Sequence, residues 1–300
     1  MIKPWHRVCT RTSSEHELQR VQLLHCGGMV HIDTILQRVS SRILGRTVPK
    51  TDRLKFVWRL PLRENFPSLY SPESKTQKQR DVQHMLFALE PSDDTPELKD
   101  RSYEAVFMHR PFDLHVRSFP NSYILWSHDD FDNNMTVGFN PALAADLQLL
   151  DPLQEVYWTN RKGTERRIGM VGSLDHPQPY GKYRHHVEHL FDGSDASKAH
   201  GVPHIRTVAV MGAFNPDLLQ RMKSEHNVDL YITGQVRQAA IQVAKDLNIA
   251  VIAVGHQRCE AYGLQALVTS FRQHPDDSSD SEAMKDLDID ILLSNKLTSA

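Results

Sequence analysis

What most constrains this chain is a rhythm in its second half. Three apolar runs, Thr207–Met211, Asp229–Ile232 and Ile249–Val254, alternate with two helical stretches, Pro216–His226 and Val236–Leu247. Strands separated by helices cannot pair as hairpins; they cross over and lie parallel, with the helices covering the sheet. Runs this rich in β-branched residues fit strands buried on both faces. Asn215-Pro216 gives the first helix a cap and a proline start. The last run stops at Gly255, and the following helix carries Ala261, Leu264, Val268 and Phe271 on one side.

The first half repeats the theme. Val82–Leu89, Glu104–Met108 and Ser122–Trp126 read as strands, and Asn140-Pro141 opens a helix to about Leu150. Glu155–Thr159 and Arg167–Gly172 read as two antiparallel strands around a turn at Arg161–Gly163, and Tyr180–Leu190 as a helix. Asp192–Pro203 is looser. The pattern predicts an α/β core over residues 81–273, with lobes at about 81–175 and 204–273. Residues 1–80 differ. Ile32, Leu36, Val39 and Ile43 recur at helical spacing, which predicts an amphipathic helix over about 31–44. Lys50 to Arg80 then holds eight basic and three acidic residues, interleaved with Phe56, Trp58, Phe66 and Tyr70. That mixture suits nucleic acid, but no base-reading or phosphate-binding module accompanies it, so it reads as a solvated linker. Residues 274–300 form an acidic end, flexible apart from a short strand at Ile289–Leu293.

Composition narrows the classes. With 300 residues and a net charge of -2, the chain has ample core and no general affinity for polyanions. Cys9, Cys26 and Cys259 make no disulfide framework, which favours the cytoplasm. The opening residues carry Lys3, Arg7 and Arg11 and no acid before Glu15, which faintly resembles a mitochondrial presequence. No apolar run approaches bilayer length, so no membrane partner is expected.

Polar groups collect where the strands end, which is where open α/β sheets bind ligands. His109 follows the second strand, and Ser127-His128-Asp129-Asp130-Phe131-Asp132 follows the third. Thr233-Gly234-Gln235 and His256 with Glu260 follow later ones. His256 and Glu260 stand four apart, on one helical face. Histidine and carboxylate donors at an open site suit zinc, manganese or iron, acting as Lewis acids toward an ester or phosphoryl oxygen. Each element also has a plainer reading. His109 serves equally as a loop histidine, and Asp132, Asp129 or Asp130 as a turn cap. His256 with Glu260 serves equally as a surface pair worth a few tenths of a kcal/mol. His128 is a candidate proton carrier or a loop histidine packed on Phe131. Cys259 lies off the His256–Glu260 face and reads as packing.

Five segments in order, over roughly residues 80–273, resemble the Nif-three-like proteins, also labelled GTP cyclohydrolase I type 2-like. They are His109-Arg110-Pro111, His128–Asp132 with Gly138-Phe139-Asn140-Pro141, Val208–Phe214, Tyr231–Gln235 and Gly255–Glu260. The resemblance implies an α/β fold of two similar lobes with mixed, mostly parallel sheets around a central cleft. It implies a homo-oligomer, often a hexameric ring, with two divalent metals in the cleft. The implied metal ligands fall on His109, Asp132, His256 and Glu260. Arg110 stands where the family has a second histidine, and arginine cannot ligate a cation because it stays protonated. Gln235 stands where the family has a glutamate beside the site. The expectation is two ions per chain, or one or none with the Arg110 guanidinium replacing a cation and contacting an anionic ligand.

Two functions follow. One is a metal-dependent hydrolase of a small phosphorylated or nucleotide-like substrate. The other is a non-catalytic metal-binding or regulatory protein that recruits protein partners. No guanine-binding feature supports the narrower cyclohydrolase reading.

Overall fold

The two halves of the rhythm build two sheets. The structure, a computed structural model, describes residues 29–45, 68–70, 81–90, 103–110, 122–159, 163, 165–273 and 287–293. The expectations for residues 1–28, for most of the basic-aromatic stretch and its aromatics Phe56, Trp58 and Phe66, for the 161–162 turn and for most of the acidic end lie outside these residues.

In chain order the first elements are β1 (Val30–His31), α1 (Ile32–Leu44), β2 (Ser68–Tyr70), β3 (Asp81–Val82), β4 (His84–Ala88), β5 (Ala105–Met108) and β6 (Tyr123–Trp126). There follow α2 (Asp129–Met135), α3 (Pro141–Asp146), β7 (Leu150–Thr159), β8 (Glu165–Pro179), α4 (Tyr180–Leu190) and β9 (Ala196–Lys198). The chain continues through β10 (His204–Met211), α5 (Pro216–His226), β11 (Leu230–Thr233), α6 (Gln238–Asp246), β12 (Ala250–Ala253), α7 (His256–Gln273) and β13 (Asp288–Leu292).

One sheet runs β13-β4-β5-β6-β2, parallel except for antiparallel β2 at its edge. The other runs β7-β8-β10-β11-β12-β9, with parallel pairs at β10–β11–β12 and antiparallel strands on both flanks. β1 and β3 form a separate antiparallel pair. β5, β6, β11 and β12 are buried at every residue, as strands covered on both faces must be.

The covers explain why the chain is one unit. On the first sheet, Phe87 and Phe107 pack with Ile35, Leu36 and Val39 of α1, Phe131 of α2 and Leu264, Leu267 and Phe271 of α7. On the second, Val208, Ile232 and Ile252 face Leu143 of α3, Tyr183 and Val187 of α4, and Cys259 and Tyr262 of α7. Its far face takes Leu218 and Met222 of α5 with Ala240 and Ala244 of α6. Helix α7 therefore belongs to both cores, its first turns to the second and its later turns to the first. None of the described helices is long and apolar enough to cross a membrane.

Several boundaries differ from the sequence reading. The lobes follow the sheets rather than chain order: β7 and β8, at residues 150–179, pair into the second sheet, while β13 returns to the first. The apolar segment of β8 registers with β10 from Thr207↔Ser173 to Met211↔Gly169, which draws β7 and β8 into the second sheet. The helix from Asn140 stops at Asp146, because Gln148 turns left-handed (φ 61) and sends the chain into β7. The looser stretch contains β9, which closes the β12 edge. The Asp-rich segment after β6, whose acids read as turn caps, runs into a helix at Asp129–Met135. The N-terminal helix is part of the first core, and β2 joins its sheet.

Candidate metal centre

The parallel strands of both sheets end toward one cleft. His109 directly follows β5, and its main chain stays in the sheet by donating to the Ala88 carbonyl at 3.1 Å. His128 follows β6 and precedes α2, so His128 and Asp132 stand one helical turn apart on the same face. His256 opens α7 just after β12, and Glu260 lies one turn on.

His109 is the pivot of the cluster. Its side chain is fully buried, and neither ring nitrogen makes a hydrogen bond of good geometry. Nε2 lies 3.1 Å from Asp132 Oδ1, and Nδ1 lies 3.4 Å from Glu260 Oε1. The ring stacks on His128 with centroids 4.9 Å apart and planes 11° from parallel, and its other side meets Phe131 at 4.7 Å. The apolar contact with Phe131 therefore belongs to His109, and His128 is placed beside the donors. Buried polar nitrogens that make no well-aligned hydrogen bond are costly, and here each instead faces a carboxylate oxygen.

The residues divide about the His109 ring. On the Nε2 side, His109, His128 and Asp132 each offer one ligand atom, all within 4.8 Å of one another. His128 Nε2 lies 3.7 Å from Asp132 Oδ2. On the Nδ1 side, Glu260 is buried and its Oε1 lies 3.1 Å from Arg110 Nη2 and 3.0 Å from His256 Nε2. Arg110 also donates to Glu90 Oε1 at 2.8 Å and touches His256 Nε2 at 2.5 Å. His256 Nε2 cannot donate to Glu260 and accept from Arg110 at once. The carboxylate prevails, because it is a buried anion whereas the guanidinium already has Glu90.

The titration directions agree with this division. The hydrogen bond to Glu260 raises the His256 pKa, over the opposing effects of burial and Arg110. Burial pushes Asp132 upward, but the close approach of His109 Nε2 and the charges of His109, His128 and His256 outweigh it, so its pKa is lowered. Burial drives the Cys259 thiol well above its ordinary range, with Glu260 and Asp132 adding to the effect, so it stays protonated and packs in the second core.

Beside the cluster opens a cleft of about 240 Å³, lined among others by Asp132, Arg166, Gly212, Gly234, Gln235 and Glu260. Arg166 reaches across from β8 and pairs with Asp129 at 3.4 Å. Gln235 is exposed on the rim after β11, where an uncharged amide adds no anion to the cluster. All four proposed ligands are thus brought together, but they do not surround one point: a single imidazole ring separates Asp132 from the Glu260–His256 pair. The sequence reading missed Arg166 and Glu90. Arg166 lies on an antiparallel strand of the other sheet, and no local pattern marks which of its residues reaches the cleft.

A family model described as Duf34/NIF3 (NGG1p interacting factor 3) matches residues 121–285, more than half of the chain. The chain belongs to the Duf34/NIF3 family. Curated relatives named "GTP cyclohydrolase 1 type 2 homolog" include one from Pseudomonas aeruginosa, 30% identical over 144 residues, covering 48% of this chain and 54% of that protein. Another, from Pyrococcus abyssi, is 30% identical over 156 residues, covering 51% and 58%. The chain spans about half the length of the curated relatives it matches. Among solved structures, a Bacillus cereus protein related to NIF3 aligns with TM-score 0.57 at 15% identity, covering 91% of this chain and 99% of that one. TTHA1606 from Thermus thermophilus gives 0.58 at 16%, covering 90% and 100%. These likenesses show the Duf34/NIF3 fold. The family match begins after His109 and Arg110, so those two residues are read from this chain's own geometry.

Proposed function

We propose that this Duf34/NIF3 protein binds one divalent cation through His109, His128 and Asp132 and hydrolyses a small phosphorylated substrate in the adjoining cleft. The observation that carries the reading is His109, fully buried with both nitrogens lacking a hydrogen bond and a carboxylate on each side. A donor set of two imidazoles and a carboxylate suits zinc, manganese or iron. A cation held there would supply Lewis-acid polarisation of a substrate oxygen.

The remaining work falls to the chain's own side chains. Arg110, between Glu90 and Glu260, supplies a fixed positive charge where the Glu260–His256 pair would otherwise ligate a second ion. Arg166 on the opposite wall is suited to an anionic substituent, since its planar fork matches phosphate oxygens. Gly212 and Gly234 keep the strand ends bare of side chains. The names of the curated relatives would make the substrate GTP, but none of the residues singled out here recognises a guanine ring.

A second reading, a non-catalytic metal-binding or scaffold protein, is favoured by one observation: Arg110 closes half of the donor cluster. The two are separated by incubating the purified chain with a panel of phosphoesters and nucleotides, with and without manganese or zinc. The proposal expects metal-dependent turnover that Asp132→Asn abolishes with folding intact. No turnover on any substrate, together with retained cation binding, favours the scaffold.

A further inference from the structure

Asp129 opens α2 between His128 and Asp132 and is not one of the three proposed ligands, yet its two oxygens have different and specific partners. Oδ1 lies 2.8 Å from His128 Nδ1, and Oδ2 lies 3.4 Å from Arg166 Nη1 across the cleft. The other nitrogen of His128, Nε2, is the one on the Asp132 side. A neutral imidazole carries a single N–H, and a carboxylate accepting at one nitrogen leaves the lone pair on the other. We propose that Asp129 is a positioning residue, holding His128 with Nδ1 protonated and Nε2 bare toward Asp132 and His109, and that Arg166 holds Asp129 in turn.

Three observations converge on this assignment. The contact from Asp129 to His128 is short enough for a charge-assisted hydrogen bond, and it fixes the ring's rotation as well as its proton. The stacking of His128 on His109 at 11° fixes the remaining freedom of the imidazole. The Arg166 contact pins the far oxygen from a different sheet, so Asp129 is held from both lobes. Histidines that bind cations commonly give their second nitrogen to a carboxylate in this manner, which sets the tautomer and raises ligand basicity. A plainer role accounts for the position of Asp129 alone: an acid in the first turn of a helix is favoured by the helix dipole. That role predicts a loss of helix stability only, with no effect on which nitrogen of His128 carries the proton.

The inference rests on the proposed cation site, and the test separates the two. In metal-free full-length protein, at a pH where the His128 ring is neutral, nitrogen-15 NMR reads its tautomer directly. The expected result is Nδ1–H in the wild type and loss of that preference in Asp129→Asn. Nε2–H in the wild type overturns the proposal, whether or not any cation binds and whether or not the variant folds. Cobalt(II) titration then measures affinity and the visible spectrum. Asp129→Asn is expected to weaken cobalt binding ~10–100-fold, and Arg166→Gln to weaken it less. Asp130→Asn removes the same charge from the same helical turn and is expected to leave affinity unchanged. Equal cobalt affinity and an unchanged spectrum in Asp129→Asn overturn the positioning role. Failure of the wild type to bind cobalt overturns the cation reading, and the tautomer result alone then decides for or against Asp129.

Discussion

Arg110 decides how many cations the cluster accepts. Its guanidinium lies 3.1 Å from Glu260 Oε1 and 2.8 Å from Glu90 Oε1, so the carboxylate that would ligate a second ion is already neutralised. Arg110→His removes the fixed charge and adds a donor beside His256 and Glu260; cation capacity by calorimetry is expected to rise from one to two. Glu260→Ala acts differently. It leaves His109 Nδ1 without its neighbouring carboxylate and costs Arg110 one of its two carboxylates, so urea denaturation is expected to show a loss of about 1–3 kcal/mol, with the single cation retained. His109, Asp132, His256 and Glu260 were legible in the sequence as polar groups at strand ends. Their division around the His109 ring was not, because which nitrogen faces which partner depends on the packing of Phe131 and His128 against that ring.

At the scale of elements, the site depends on how closely α2 and α7 approach. They carry His128 and Asp132 on one side and His256 and Glu260 on the other. Gly263 sets the spacing: a Cβ there would lie 2.9 Å from the Met135 carbonyl oxygen and 3.1 Å from Phe131 Cζ. Helix propensity alone would favour alanine by up to ~1 kcal/mol, but backbone cannot move aside as a flexible side chain can, and overpacking costs about 1–3 kcal/mol. Gly263→Ala is therefore expected to lower stability in urea and weaken cation binding together; a more stable variant with unchanged binding would show that the helices do not need this contact. Helices α5 and α4 and the parallel strands were readable because caps and apolar runs are local signals, as at Asn215, whose side chain accepts from Leu218 N at 3.0 Å. Helix α2 was not. Its sequence, Asp-Asp-Phe-Asp-Asn-Asn-Met, has poor helix propensity, and it is helical because Phe131 and Met135 are buried in the first core.

For the whole molecule, α7 ties the two sheets into one cooperative unit. Leu264, Leu267 and Phe271 complete the first core while Cys259 and Tyr262 complete the second. Trp126 lies buried in the first sheet, and Trp158 packs on the second. Urea unfolding of the wild type, followed by tryptophan fluorescence and by far-ultraviolet circular dichroism, is expected to give one transition with coincident midpoints; two separated transitions would mean that the lobes unfold independently. The return of β13 to the first sheet and the transfer of β7 and β8 to the second were hidden from the sequence, because strand order in a sheet is a non-local choice that local patterns do not encode. The central claim concerns the cleft that this arrangement creates, and elemental analysis of full-length protein purified without chelator tests it most directly. The account predicts one divalent transition-metal ion per chain, lost in folded Asp132→Ala and His109→Ala. Two tightly held ions per chain, none, or one that survives both substitutions would contradict it.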